Sequence, residues 1–437
     1  GNASGTTTLN AVNGSVGSAG TRLQTSGAVT LNVNAHDAIA IDVLNTALTN
    51  LSLTTSASGT GPISVSDTNF ASLAISRVGP DLLLGALSPV SAGAFSLTAT
   101  DGNIVLGGDI TNVTALGLNA GYSTGSGGNL VIQASGGPRT VSASSYDLRA
   151  GQDVLIGAGA LAGEDVSIAQ VGTSGHDYVY AQRDIVVAAN GGSATLAHNA
   201  AGWTQTLNAG RDILIDGGSA GIANAVATVS SSGNQSLAAG RDLAVRGGSA
   251  DQAPAQLAAV QNQSMTQIGG TALVQGGSGL AAFAEIVSSS SSQSLGASYS
   301  TTTDLIQVQG GSGNGAYASV RAATSQNIQG SGDIRVLGGS GAGANAEIMA
   351  GSSQNLGSTS TYFNDPTAAI LVQAAAGGTA RIRAGGSQSI LASEGISVLG
   401  GAGAGMTAAI ETTAGNQTIG SSGTSFNDPT ADILVQA

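Results

Sequence analysis

The chain has 437 residues, of which only 8% are charged, with a net charge of −13 and no cysteine. That balance argues against nucleic acid or an anionic membrane surface as a partner, since both select basic side chains. The 68 glycines are too many for a standard globular core, yet 41% of residues are hydrophobic in a regular pattern, which excludes a disordered chain.

The pattern is a repeat, and it starts near the N-terminus. Leu9, Leu31, Leu53, Ile75 and Leu97 stand 22 residues apart, in texts such as TLNAV, TLNVN, SLTTS and SLTAT. Segments 34–51 and 78–94 are their less regular connections. Leu118, Leu148, Val179 and Leu207 carry the slot on at steps of 21, 30, 31 and 28 residues. Leu237, Met265, Leu295, Ile328, Leu356, Ile390 and Ile419 then follow at steps of 28 to 34. Sixteen copies of one slot run through the chain with no unrepeated globular segment between them. Such self-similarity fixes the architecture before any motif is read.

Further slots appear from the fullest copies, TLNAGRDILIDGG at 206–218 and SLAAGRDLAVRGG at 236–248. Ile215, Val245, Val274, Val308, Val336 and Val398 precede a Gly-Gly pair by two residues, and Ile213, Leu243, Ala272, Ile306, Ile334 and Ile396 by four. The residue between is variable, as expected of a strand with one buried face. A third strand carries Val229, Leu257, Ile286, Val320, Ile348, Ile382 and Ile410, each two residues after an alanine. No stretch keeps a helical period.

Repeats of this length made of strand and turn predict an all-β fold, a parallel β-helix of about sixteen coils, with core ladders that exist only by stacking. At about 4.8 Å per coil the rod would be roughly 75 Å long. Two continuous parts are expected: 1–120 with 22-residue coils, and 121–437 with coils of 28–34 residues. A β-sandwich is the alternative, but it would not preserve one slot's chemistry in every successive repeat.

Between 121 and 200 the lengthening coils carry Tyr146, Tyr178, Tyr180, His176 and His198. From Gln205 onward a glutamine stands two residues before each slot residue: Gln205, Gln235, Gln263, Gln293, Gln326, Gln354, Gln388 and Gln417. Period-two geometry puts each on the face of the apolar residue that follows. This predicts a ladder in which each amide bonds the next coil's; an exposed polar row at a corner is the other reading. In the last third, STYFNDPTAAILVQA from Ser360 recurs as GTSFNDPTADILVQA from Gly423, two coils on. Asn364, Asp365, Pro366 and their twins Asn427, Asp428, Pro429 have turn chemistry. They are candidate contact loops, with Asp365 and Asp428 as candidate cation ligands.

The texts LNAG, AGRDI, AGRDL, AGQDV and DGNIVLGGDI resemble the haemagglutinin repeats of filamentous-haemagglutinin-like exoproteins, the large adhesins of bacterial two-partner secretion. The resemblance covers residues 8–437. It implies a right-handed parallel β-helix, export through an outer-membrane secretion pore, and an extracellular place at the bacterial cell surface, in adhesion or biofilm matrix. The NPNG- and NPNL-like motifs of the family's N-terminal secretion domain are missing, so the resemblance assigns this segment to the shaft. A carbohydrate or other cell-surface ligand is an expected partner of such a shaft. The polar opening GNASGTTT and the closing strand text DILVQA do not look like caps. The second functional reading is therefore a filament or sheath subunit that associates with itself, end to end or laterally.

Other motifs have plain explanations. GYSTG at 121–125 matches G-x-S-x-G but lacks an elbow and triad partners. The GGSG runs lack the aspartate of calcium-binding nonapeptides. Asp153, Asp165, Asp184, Asp212 and Asp242 of the AG-x-D texts are read as turn residues that accept backbone N–H bonds. His36, His176 and His198 lack ligand spacing, and Trp203 stands alone in the sequence, as a surface patch. Polysaccharide-cutting β-helix enzymes need clustered Asp with Arg or Lys in a groove, and no such cluster is visible. An ice-binding solenoid would need a repeated Thr-x-Thr rank. The expectation is a non-enzymatic protein with no cofactor and no membrane span. All 12 basic residues are arginine.

Overall fold

The computed structural model describes residues 5–18, 21, 23–25, 30–37, 39–43, 50–55, 63–65, 70–77, 82–84, 92–99, 102–106, 109–123, 127–134, 137–157, 164–219, 222–296, 303–357, 367–421 and 432–436. Every regular element among them is a β-strand. The strands form parallel sheets of sixteen, thirteen and eleven strands and a small one of three. In the longer coils the chain visits the three large sheets in turn. Thr204–Ala209 lies in the first, Ile213–Asp216 in the second and Ala227–Ser231 in the third, before Asn234–Ala239 returns to the first. This is a parallel β-helix.

The strands form where the sequence alternates. Val166–Gln170, Ala227–Ser231 and Ala380–Ala384 each bury first, third and fifth residues and leave the others partly open. The glycine, serine and asparagine between strands turn the chain at the corners. The sequence slots become ladders. Ile213, Leu243, Ala272, Ile306 and Ile334 are paired coil to coil, and Val229, Leu257, Ile286, Val320, Ile348 and Ile382 likewise. All of these are at most 1% exposed. Each such Val, Leu or Ile side chain contributes about 1.5–3 kcal/mol on burial, so along these ladders the core has no centre: successive coils contribute similar slices.

The structure also explains the change of period. Among the described residues of the first coils, strands of the first sheet alternate with single strands such as Leu23–Thr25 and Ile39–Val43 of the three-stranded sheet. The third sheet opens with Ile110–Val113, and beyond it the coils carry three strands. A third side needs more chain per turn.

Two details of the first slot differ from the sequence reading. Leu9 pairs with Val33, not Leu31, and Leu31 pairs with Leu51. The slot thus runs Leu9, Val33, Leu53, a displacement of two residues that leaves the same face inward. Between Ser236 and Ala238, opposite Ser264 and Gln267, the register shifts at a β-bulge, so Met265 is not simply opposite Leu237. From Met265 to Ile419 the pairing follows the sequence slot.

The corners are built from close contacts. A side chain at Gly248 would place its Cβ 2.1 Å from the Gly218 carbonyl oxygen, and one at Gly277 would stand 2.0 Å from that of Gly248. Only glycine permits that approach of backbone to backbone.

Candidate functional site

The glutamine row faces the interior. Gln205 to Gln388, in steps of one coil, are at most 2% exposed, while Gln417 is exposed. Each Nε2 donates to the Oε1 of the preceding coil: Gln235 to Gln205, Gln263 to Gln235, Gln293 to Gln263 and so on to Gln417 on Gln388, at 2.6–2.8 Å. Several rungs also reach a carbonyl of the third sheet, as Gln326 Nε2 does to Val320 O at 3.2 Å. These buried amides therefore have partners on both polar ends, which burial demands.

The row does not begin at Gln205. Register carries it back through Asp177 and Tyr146 to Leu116 and Phe95. Tyr146 takes the changeover: its ring is buried, and its hydroxyl accepts a 2.9 Å hydrogen bond from Gln205 Nε2. Asp177 turns aside. Its Oδ1 accepts the Tyr146 backbone N–H at 2.8 Å, and its Oδ2 lies 2.8 Å from His198 Nδ1. Asp177 and His198 are both 0% exposed. Burial raises the Asp177 carboxyl above its ordinary value, against the lowering effect of the His198 contact. Burial, with the nearby Asp177 charge, raises the Tyr146 phenol too. Tyr146 and His198 stand in the lengthening coils of the sequence, but no period links them to Asp177, so their meeting is visible only in space.

The aspartates of the AG-x-D texts form a second ladder at the corner after the first sheet. Asp153 Oδ1 accepts the N–H of Asp184, Asp184 that of Asp212, and Asp212 that of Asp242, at 3.1–3.3 Å. Asn103 and Asn129 begin this row, and Asp242 passes it on to Thr271 N at 2.8 Å. Asp165 belongs elsewhere: it precedes a strand of the third sheet and accepts Ser193 N. Arg183, Arg211 and Arg241 each grip the aspartate one coil back with Nε and Nη2, on its two oxygens. Arginine's planar fork supplies that two-point grip and an ammonium group cannot, which accounts for arginine at these positions.

Trp203 is not alone in space. Its ring meets His176 edge-on at 4.8 Å. His176 lies 6.1 Å from Tyr178, Tyr178 stacks on Tyr180 at 5.9 Å, and Tyr180 lies 6.2 Å from Tyr122. Arg149, held by both oxygens of Asp147, lies over the Tyr122 and Tyr180 rings at 5.6 and 5.1 Å. Tyr178 and Tyr180 point outward because Asp177, Val179 and Ala181 between and beside them point in.

Elsewhere a groove of about 590 Å³ runs beside the Gly-Gly corners, with Asp216, Arg246, Gln275 and Gln309 on it. Burial raises the Asp216 carboxyl. Asn364, Asp365, Pro366, Asn427, Asp428 and Pro429 lie outside the described residues. Thr367, next to the first of these loops, is buried and donates to Gly330 O at 2.7 Å. Among the described residues no group of three His, Asp or Glu side chains is placed to hold a metal ion, and no helix is long and apolar enough to cross a membrane. No protein-family model matches the chain, and no curated protein or solved structure matches it.

Proposed function

We propose that this chain is a shaft segment of a large secreted bacterial surface protein of the filamentous-haemagglutinin-like kind, exported through an outer-membrane pore and acting in adhesion or biofilm matrix. The observation that carries this reading is the sixteen-stranded parallel sheet that runs from Thr6–Ala11 to Gln417–Ser421. A core distributed along an axis spans distance, and its outer faces display side chains at coil intervals. The side-chain rows support the same work. A hydrogen-bonded amide row from Gln205 to Gln417 and a corner row of aspartates gripped by arginines from Asp153 to Asp242 tie coil to coil over those stretches, without disulfides. A chain free of cysteine and low in charge also suits passage through a pore in an unfolded state.

The test is to find the native protein. Antibodies raised against the 437-residue chain should stain intact source cells, and protease added outside should remove the signal. A denaturing gel should show a polypeptide several times larger than 41.9 kDa, and negative-stain images should show single thin rods. Signal confined to the cytosol would overturn the reading. A polypeptide near that mass that forms long fibres would replace it with the self-assembling filament.

A further inference from the structure

We propose that the aromatic band on the outer face of the first sheet is a binding site for a neutral oligosaccharide. The sequence holds one Trp, seven Tyr and five Phe, and Trp203 with Tyr122, Tyr178 and Tyr180 is gathered here with His176. They do not fill the core. Trp203 and His176 are exposed, and the three tyrosines are partly so. The band runs obliquely across neighbouring coils, from Trp203 before strand Thr204–Ala209, along strand Asp177–Ala181, to Tyr122 after strand Ala115–Ala120.

The band stands at the edge of a step. Toward the N-terminal coils the outward positions in register with Asp147 become Gly117 and Ser96. This opens a cleft of about 350 Å³ bounded by Tyr178, His176, Asp147 and Tyr146 over a floor that includes Ala94 and Gly117. A second cleft of about 250 Å³ shares Ser96, Gly117 and Asp147 with it and is flanked by Asn119 and Arg149. Small-ligand sites are concave, with broad apolar surfaces and a few fixed polar groups. Here the apolar surfaces are flat rings, and the polar groups are a carboxylate and a guanidinium clamped to each other with Asn119 alongside. A pyranose has the matching character, one C–H face for a ring and a rim of hydroxyls for planar polar groups. Two adjoining clefts and successive rings about 6 Å apart suit a run of sugars better than one.

Charge selects the neutral class. The chain carries −13 overall, and Arg149, the cation in the band, is already paired with Asp147 at 2.7 Å. A sulfated or uronic glycan would meet repulsion with no free cation in the band to offset it. The inference stands apart from the shaft reading, since it depends on this face alone.

Trp203 makes the test direct, because it is the one tryptophan in the sequence. The 437-residue chain would be titrated with cellohexaose, maltohexaose, mannohexaose and chitohexaose, with heparin hexasaccharide as the anionic probe, following tryptophan fluorescence and calorimetry. At least one neutral hexaose should bind with a saturable fluorescence change. Tyr178→Ser and Tyr180→Ser should each weaken it about tenfold, the loss expected from one stacking ring, while Tyr180→Phe and the remote Tyr317→Ser should bind as the parent does. Far-UV circular dichroism should show each variant folded, as expected for outward positions. No saturable response to any neutral hexaose, equal binding by the serine variants, or preference for heparin would each overturn the proposal.

Discussion

The two ends of the first sheet pair their strands alike but fill the same inward row differently. In the N-terminal coils the row and its neighbour two residues on are both apolar, as in Leu31 with Val33 and Phe95 with Leu97. In the C-terminal coils one of the two is an amide, as in Gln205 with Leu207 and Gln293 with Leu295. A displacement by two residues keeps the same face inward. In the apolar part it exchanges one aliphatic for another at little cost, and the shift at Leu31 shows this tolerance. In the amide part it would set a glutamine against a leucine and strand its hydrogen bonds. The amide row therefore fixes register where hydrophobicity alone cannot.

The comparison can be broken most severely by moving an amide to the apolar side. Leu116→Gln would bury an amide beside Phe95 and Tyr146 without a ladder to join, and should cost about 4 kcal/mol in urea unfolding. The reverse change is milder. Gln293→Leu leaves the Gln263 oxygen without its donor, while Gln326 Nε2 keeps Val320 O, so a loss of about 2 kcal/mol is expected. Milder still per site is the simultaneous replacement of Gln235, Gln263, Gln293, Gln326 and Gln354 by leucine. Removing both partners of each internal bond confines the orphans to the Gln205 oxygen and the Gln388 Nε2, so the loss should be about 1 kcal/mol or less per substitution. The unfolding transition should broaden, because several registers become close in energy.

The changeover itself makes a pH-dependent prediction. Burial raises the folded-state value of Asp177 above its unfolded value. The stability this group contributes is complete below the unfolded value, near 3.9, and is lost as pH rises through the raised folded value. The parent should thus lose stability relative to Asp177→Asn as pH climbs through that window, and a parent that gains stability relative to Asp177→Asn with rising pH would refute the assignment. The smallest effect is expected at the corner, where Arg241 is exposed and its pair with Asp212 is open to water. Arg241→Ala should leave the unfolding midpoint in high salt unchanged.

Much of the fold is legible in the sequence because a parallel stack repeats its chemistry at one spacing. Ile213, Leu243, Ala272 and Ile306 stand in line in the text and in space. Where neighbouring inward residues are alike, text cannot choose between Leu31 and Val33, and the pairing does. The amide row could be read from its period. Its meeting with Tyr146, Asp177 and His198 could not, because those residues occur once and are brought together by the closing of coils. The aromatic band escaped for the same reason: Tyr122 and Trp203 belong to coils three steps apart in the first sheet.

The amide row has an electrical consequence. Every rung donates in one direction, from the later coil to the earlier. Backbone bonds between parallel strands point both ways along the axis and largely cancel. The side-chain amides do not, and they add head to tail as peptide units do in a helix. The rod thus has an internal polarity, with its positive end aimed at Tyr146 and the neighbouring Asp177. There the Tyr146 hydroxyl, which accepts the final N–H from Gln205, plays the part that a capping oxygen plays at the start of a helix.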